Sequence, residues 1–191
     1  VNSCHQVLDN FNYFSDDWFG YIKTKIKGTS LSIFFNKKIL IYGLGKSGLS
    51  TFKFLKNKSN IFLYDDYRSK IKSLDIKKNF INYKKLLNIK FDQIILSPGI
   101  DIKKCKLSNF LKKNHNKIFS DLDVFYTIYK NDCITITGTN GKSTTSQLLY
   151  EVLLNQKLDV KLVGNIGNPI LSVKNVRKRT IFVIVASSYQ L

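Results

Sequence analysis

A short β-branched stretch that leads into a glycine loop constrains this chain more than any other feature. Residues 134–144 read Ile-Thr-Ile-Thr-Gly-Thr-Asn-Gly-Lys-Ser-Thr, and a helical pattern follows. The two glycines allow backbone N–H groups to turn inward and approach an anion. The start of the helix attracts the same anion through its partial positive charge. This order of strand, loop, Lys-Ser and helix predicts a cradle for a phosphate chain.

The residue types of this loop favour ATP as its ligand. Lys142 would neutralise the β- and γ-phosphates, and the Ser143 hydroxyl would bind Mg²⁺. The loop is shorter than the ordinary Walker A pattern, because two residues separate its glycines where that pattern has four. We predict Lys142 as the catalytic cation. The predicted ATP-binding residues are Gly138, Thr139, Asn140, Gly141, Lys142, Ser143 and Thr144.

A second glycine loop lies earlier in the chain. Residues 38–42 are mostly apolar and predict a buried parallel strand. Residues 43–48 read Gly-Leu-Gly-Lys-Ser-Gly, a G-x-G-x-x-G pattern, and apolar residues at helical spacing follow in 49–55. A strand over 61–64 then ends in Asp65-Asp66, about 20 residues beyond the loop, where a dinucleotide fold places its ribose ligand. The pattern predicts a nucleotide site, and a tight turn with two solvated aspartates is the alternative.

A third strand, over 91–96, ends in Ser97-Pro98-Gly99-Ile100. Open α/β sheets bind ligands outside the carboxyl ends of their strands, so this turn shares an edge with the glycine loop. A weak amphipathic helix over 107–114 and a short strand over 118–119 follow. Ser120 is predicted to cap a helix that begins at residue 121, in an arrangement close to a capping box with Asp123. The predicted buried stripe of this helix is Leu122, Phe125, Tyr126 and Tyr129.

The phosphate loop opens a second unit near residue 131. Its helix is predicted to carry Leu148, Leu149, Val152 and Leu153 on one face, and strands are predicted over 158–163 and 180–185. About 60 residues are too few to cover both faces of a parallel sheet. We therefore expect the chain to be part of a longer protein.

The predicted fold is α/β and has two parts. Residues 37–130 form a Rossmann-like parallel-sheet domain, and residues 131–191 form the start of a P-loop ATPase-type central domain. Residues 1–36 are aromatic without a consistent period and are predicted to be a poorly ordered leader of unknown role.

Charge and composition exclude several function classes. The net charge of +18 arises from lysines spread along the whole chain beside many Asn and Ile residues, so we expect no nucleic-acid partner. No apolar run is long enough to span a membrane. Three scattered cysteines, at positions 4, 105 and 133, indicate reduced thiols and a cytoplasmic protein. We expect a monomer.

Four motifs in this order resemble the Mur ligase family. They are residues 43–48, 97–100, 137–144 and the Gly-Asn-Ile-Gly of 164–167, and the chain ends in Ser-Ser-Tyr-Gln-Leu, similar to the family's Ser-Ser-Phe-Gln-Leu. The resemblance runs from about residue 38 to residue 191. The first two motifs are most similar to those of the member that adds D-glutamate to UDP-N-acetylmuramoyl-L-alanine.

The resemblance implies a peptide-forming ligase of peptidoglycan synthesis that uses ATP and Mg²⁺. ATP would phosphorylate the substrate carboxylate, and the amine of D-glutamate would attack the acyl phosphate. Most of the work at the phosphates would be positioning and charge neutralisation. The implied contacts to the uridine nucleotide and the muramoyl end are Lys46, Ser47, Asp65, Asp66, Ser97, Pro98, Gly99, Ile100, Asn165, Ser187 and Gln190.

The chain departs from the family at position 185. The family carries a metal-binding glutamate there, whereas this chain has Val185, and hard cations require oxygen ligands. Only Ser143 then remains among these residues as a predicted metal ligand. The family's later His, modified Lys and C-terminal domain would lie beyond residue 191, so we expect this polypeptide alone to be inert.

Three other functions remain open at this point. A non-catalytic module that binds UDP or ATP is favoured by Val185. Another Mur-type ligase is the second alternative, although folylpolyglutamate synthases lack the leading glycine unit. A Rossmann oxidoreductase is the third, but it would have no use for Lys142 and Ser143.

Overall fold

The computed structural model describes residues 33–67 and 74–187, and residues 74 and 75 only in their backbone. The chain divides between residues 125 and 126 into two compact units. We describe each unit by itself.

The described part of the first unit is a parallel sheet with helices, in the strand order β2-β1-β3-β4. The loop after β1 therefore has β2 on one side and β3, then β4, on the other. A 3₁₀ turn at His115–Lys117 precedes β4. The elements are β1 (Lys38–Tyr42), α1 (Lys46–Leu55), β2 (Asn60–Tyr64), α2 (Leu74–Asn79), α3 (Tyr83–Leu87), β3 (Gln93–Leu96), α4 (Ser108–Lys113), β4 (Ile118–Ser120) and α5 (Asp121–Ile128). The last helix, α5, crosses the division between residues 125 and 126.

Both faces of the central strand β1 are buried, which explains its continuous apolar sequence. Leu40 and Tyr42 pack in one cluster with Leu86 of α3 and Leu111 of α4. Such a core side chain stabilises the fold by about 1.5–3 kcal/mol. The strand predicted over 38–42 is present with those bounds, and the other strands predicted in this unit are present with bounds shifted by one or two residues. The short helices α2 and α3 were not predicted.

The start of α5 confirms the predicted capping box. The backbone N–H of Ser120 donates to Asp123 Oδ2 over 2.6 Å, and the N–H of Asp123 donates back to Ser120 Oγ over 3.2 Å. The predicted buried stripe is wrong in part. The helix ends at Ile128, so Tyr129 lies beyond it. Val124, which was not predicted, is buried, whereas the predicted Tyr126 is only half-buried.

Phe34 lies within the predicted leader but is packed against the sheet. It is 1% exposed, and its ring meets Phe119 edge-on with centroids 5.2 Å apart. The N–H of Asn36 donates to Lys58 O over 2.8 Å, which holds this segment beside the end of α1. The rest of the predicted leader, residues 1–32, lies outside the described residues.

The described part of the second unit is a parallel sheet in the order β5-β7-β6. A 3₁₀ turn at Ile170–Ser172 lies between β6 and β7. The elements are β5 (Cys133–Ile136), α6 (Lys142–Asn155), β6 (Val160–Gly164) and β7 (Ile181–Val185). The prediction of an α/β protein with parallel sheets is therefore confirmed.

The apolar face predicted for α6 is divided between the sheet and solvent. Leu149 and Leu153 are half-buried, whereas Leu148 is 62% exposed and Val152 is also exposed. Adjacent residues of a helix point about 100° apart, so only one of these two rows can face the sheet. In the described ranges, no helix has the length and apolar character needed to cross a membrane.

Candidate nucleotide-binding loops

The glycines of the first loop are required by close packing. Gly43 has φ +98°, and a Cβ there would lie 2.7 Å from Ser97 Cβ. A Cβ on Gly48 would lie 1.8 Å from the carbonyl oxygen of Gly43, far inside van der Waals contact. Among the described atoms, a Cβ on Gly45 would meet nothing within 4 Å. The first and third glycines therefore set the path of the loop, and the second leaves its outer side open.

Three side chains that follow neighbouring strands hold this loop. Asp65, after β2, accepts a 2.6 Å hydrogen bond from the N–H of Leu44. Ser97, after β3, donates from its hydroxyl to Gly43 O over 2.7 Å. Asp121, after β4, accepts a hydrogen bond from the Ser47 hydroxyl. The sequence predicted Asp65, Ser97 and Ser47 as residues of this site. It did not predict Asp121, which the sequence marked only as the first residue of a helix.

Asp66 follows Asp65 in the chain, and only one of its two carboxylate oxygens has a hydrogen-bond partner among the described residues. Its Oδ2 accepts a 2.7 Å hydrogen bond from the Tyr42 hydroxyl. Its Oδ1 is buried and has no hydrogen-bond partner within the described part of the chain. Burial, and then the hydrogen bond to Asp66, raise the pKa of Tyr42, while burial and then the charge of Asp66 raise the pKa of Tyr64 to about 12. Both hydroxyls therefore stay protonated at neutral pH, and the Tyr42 hydroxyl can donate its proton to Asp66 Oδ2.

The other residues predicted for the first loop form its rim. Lys46 is exposed at the first position of α1, where its charge can reach an anion. The N–H of Ile100 donates to Ser97 O over 3.0 Å, which closes the Ser-Pro-Gly-Ile turn. A Cβ on Gly43 would lie 3.2 Å from Ile100 Cγ1, so this turn packs directly on the loop. Pro98 is half-buried and Gly99 exposed.

The second loop depends on the backbone conformation of its glycines. Gly138 has φ +141° and Gly141 has φ +76°, values that side-chain-bearing residues rarely adopt. The Lys142 ammonium donates to the carbonyl oxygens of Gly138 and Thr139, the latter over 3.1 Å. Lys142 therefore lies over its own loop, where it can meet phosphate oxygens.

A buried hydroxyl group without a described hydrogen-bond partner favours the binding of an anion at the second loop. Thr137 Oγ1 is buried and has no hydrogen-bond partner among the described residues. A buried polar atom without a partner costs about 1–3 kcal/mol, and a bound ligand can supply the missing bond. Thr139, Asn140, Ser143 and Thr144 are exposed around the loop. The residues present therefore fit the phosphate chain of a nucleotide.

The helices that follow the two loops start differently from α3 and α5. In the described structure, the N-cap residues of α1 and α6 are Gly45 and Gly141, and neither helix has a side-chain cap. By contrast, Asn82 caps α3 by accepting from Lys85 N over 2.8 Å, and Ser120 caps α5. The short α4, which follows Leu107, is also uncapped. An uncapped start leaves its first N–H groups and its partial positive charge for a ligand.

The Gly-Asn-Ile-Gly motif packs against the carboxyl end of β7. A Cβ on Gly164, which has φ +110°, would lie 2.3 Å from Val185 O, and the N–H of Asn165 donates to the same oxygen over 3.0 Å. The Asn165 side chain is exposed and Ser187 is half-buried. Gln190, which was also predicted for this end of the site, lies outside the described residues.

The described residues do not fit a magnesium site of their own. Val185 is 1% exposed and aliphatic, so it offers no oxygen to a cation. Ser143 is exposed on the first turn of α6 and supplies one hydroxyl. In the ranges that the structure describes, no three His, Cys, Asp or Glu side chains lie close enough to hold a metal ion.

The first glycine loop and the strands around it match a known domain family. Residues 37–118 match the family described as Mur ligase MurD-like, N-terminal domain. The chain carries a MurD-like N-terminal domain of the Mur ligases. The matched segment contains β1 to α4, and with them the first loop, Asp65 and Ser97.

Curated MurD-type ligases are similar to most of the chain. The protein named UDP-N-acetylmuramoylalanine–D-glutamate ligase from Rickettsia bellii is 35% identical over 165 residues, which cover 84% of this chain and 36% of that protein. The protein of the same name from Rickettsia prowazekii is 36% identical over 162 residues, 81% of this chain and 35% of that protein. The one from Haemophilus influenzae strain PittEE is 34% identical over 161 residues, 82% of this chain and 36% of that protein. The chain thus spans about a third of the length of these Mur ligases.

Proposed function

We propose that this chain supplies two nucleotide loops of a cytoplasmic ligase that joins D-glutamate to UDP-N-acetylmuramoyl-L-alanine in peptidoglycan precursor synthesis. One observation carries the proposal. A single chain contains two glycine loops at the carboxyl ends of parallel strands, each followed by a helix without a side-chain cap in the described structure. Similarity to relatives that bear this ligase name supports the same substrate pair.

The first loop is proposed to bind the UDP part of the substrate. Backbone N–H groups at the start of α1 and the charge of Lys46 would hold the diphosphate. Asp66 Oδ1, which has no hydrogen-bond partner among the described residues, would accept a hydrogen bond from the nucleoside, because Oδ2 is already engaged by the Tyr42 hydroxyl. Ile100 and the Ser-Pro-Gly turn would cover the loop from the β3 side.

The second loop is proposed to bind ATP. Lys142 would leave the carbonyl oxygens of Gly138 and Thr139 and neutralise the phosphates, which lowers the charge repulsion against an attacking carboxylate. Thr137 Oγ1 would gain the hydrogen bond that it lacks among the described residues. The γ-phosphoryl group would pass to the substrate carboxylate, and the D-glutamate amine would displace phosphate from the acyl phosphate. Asn165 and Ser187 are proposed to lie toward the reacting end, with Gln190.

A non-catalytic nucleotide-binding module is the second candidate function. Val185 favours it, because a buried aliphatic side chain stands where the resemblance implies a metal-binding carboxylate. Under either function we expect the 191-residue chain by itself to release no phosphate from ATP when both substrates are supplied. D-glutamate-dependent phosphate release by this chain would contradict that expectation.

Calorimetric titration of the 191-residue chain with UDP and, separately, with ATP tests the proposal. Both nucleotides should bind. Lys142→Ala should lower the affinity for ATP at least about tenfold, because it removes a charged hydrogen-bond donor. It should leave the affinity for UDP unchanged. Lys174→Ala, which removes an equal charge from an exposed position in the same unit, is the matched control and should change neither affinity.

The outcomes separate the alternatives. Binding of UDP without binding of ATP would support the non-catalytic module. Binding of NADH in place of UDP would support an oxidoreductase and overturn the proposal. Equal loss of ATP affinity in both lysine variants would mean that general charge, and not the loop, attracts the nucleotide.

A further inference from the structure

The bond between Ser47 and Asp121 joins the first loop to a distant part of the same unit. Ser47 is the second residue of α1, and Asp121 is the first residue of α5, 74 positions later in the chain. Asp121 is only 4% exposed, so its carboxylate is fixed in place by its surroundings. Its Oδ1 also accepts a 3.1 Å hydrogen bond from the N–H of Leu122.

The direction of this hydrogen bond limits what Ser47 can do. A serine hydroxyl has one proton, and Ser47 gives it to the Asp121 carboxylate. The same hydroxyl therefore cannot donate to a phosphate while the bond exists. The Ser47 carbonyl oxygen is also engaged, because it accepts from Ser50 Oγ over 2.8 Å and from Thr51 Oγ1 over 3.0 Å.

Asp121 completes a set of tethers with Asp65 and Ser97. The other two bind backbone atoms of Leu44 and Gly43, at the beginning of the loop. Asp121 alone, among the described contacts, holds a side chain in the first turn of α1. Without it, the N–H groups at the start of α1 would have more freedom, and their alignment on an anion would be less well defined.

We propose that Asp121 is a positioning residue for nucleotide binding, and that it acts through the Ser47 hydroxyl to fix the first turn of α1. A hydrogen bond to a carboxylate is stronger than one between neutral groups, which suits a tether that must hold a loop. The inference rests on the proposed binding of UDP at this loop. It assigns Ser47 to the support of the loop and leaves the backbone N–H groups and Lys46 to the ligand.

A double-mutant cycle on the 191-residue chain tests this proposal, with the dissociation constant of UDP as the readout. Asp121→Ala and Ser47→Ala should each lower the affinity for UDP about tenfold, since each removes a hydrogen bond of charge-assisted strength. The double variant should be no weaker than either single variant, because both changes remove the same bond. Asp121→Asn keeps an acceptor oxygen for Ser47 and should recover most of the affinity.

Asp123→Ala is the matched control. It removes a carboxylate two residues away on the same helix and breaks the capping box, and the hydrogen bonds described for Asp123 go to Ser120 and not to Ser47. It should lower stability without changing UDP affinity. If Asp121 only stabilises the fold, Asp121→Ala and Asp123→Ala should lower the affinity for UDP to the same extent.

Amide hydrogen exchange without ligand separates this inference from the proposed function. Asp121→Ala should speed exchange at residues 45–47, and Asp123→Ala should not. Unchanged exchange in Asp121→Ala, or additive losses of affinity in the double variant, would overturn the inference. If the wild-type chain binds no UDP, the proposed function fails, and the tether is then judged by exchange alone.

Discussion

The two glycine loops of this chain are held by different means. The first loop is held from outside, by side chains that follow β2, β3 and β4. In the second loop the described contacts come from within, because Lys142 donates to the carbonyl oxygens of residues 138 and 139. The first loop is therefore prepared before a ligand arrives, whereas the second must give up bonds of its own to receive one.

The glycines of the two loops are needed for different reasons. At Gly48 the limit is space, because a carbonyl oxygen occupies the position of a Cβ. At Gly141 the space is open among the described atoms, and the limit is the positive φ of the backbone. Steric limits of this kind cannot be relieved without moving a strand or helix, whereas an unfavourable φ costs only about 1–2 kcal/mol. The following predictions test this difference, beginning with the largest effect.

Gly48→Ala should destabilise the first unit by about 4 kcal/mol or more, because the added methyl group would overlap backbone that cannot move locally. Urea unfolding followed by circular dichroism measures this loss. Gly45→Ala is the control in the same loop, and it should change stability by less than about 1 kcal/mol. Similar losses for the two variants would show that the loop is not held by close packing.

Val185→Glu should destabilise the second unit by about 3 kcal/mol or more, since it buries a carboxylate at the end of the central strand. Val185→Thr, which keeps the shape and adds one hydroxyl, should cost less. Thermal unfolding with ATP, in the presence and absence of Mg²⁺, measures both effects. If Mg²⁺ with ATP restores the stability of the glutamate variant but not of the threonine variant, position 185 can reach a bound metal.

The first unit should lose stability in alkali through Tyr64. Its pKa in the folded protein is about 12 against an ordinary value of 10.0, so the folded state holds the proton more strongly than the unfolded state. This contribution is fully present below pH 10 and is lost as the pH rises from 10 to 12, with an upper limit of about 3 kcal/mol. The free energy of unfolding of Tyr64→Phe should fall less over this range. Because both proteins carry the same lysines, equal slopes would contradict the raised pKa.

Gly141→Ala should have the smallest effect, a loss of about 1 kcal/mol in the second unit, because only the backbone conformation opposes the methyl group. The same urea titration measures it. A loss as large as that of Gly48→Ala would remove the distinction between the two loops.

Most of the sheet framework could be predicted from the sequence. Parallel strands that are buried on both faces produce continuous apolar runs, such as residues 38–42, and glycine turns mark their ends. The capping box at Ser120 was also predictable, because both of its partners lie within four residues of each other. The short helix α3 was missed, since five residues show no helical period, and its signal was the single cap residue Asn82.

The tethers of the first loop could not be derived in the same way. Ser47 and Asp121 are 74 residues apart, and they meet only because β4 follows β3 in the sheet order. The sequence marked Asp65 and Ser97 as polar residues at strand ends, but it could not show that their atoms bind the loop itself. The roles assigned to the site residues toward UDP and ATP remain predictions.

The buried ring of Phe34 has a practical consequence for anyone who shortens this protein. A version that starts at residue 37, where the domain match begins, would lose the ring that covers Phe119 and the backbone bond between Asn36 and Lys58. A shortened version should therefore begin at or before residue 33, so that it keeps the Phe34 ring packed on Phe119 of the edge strand β4.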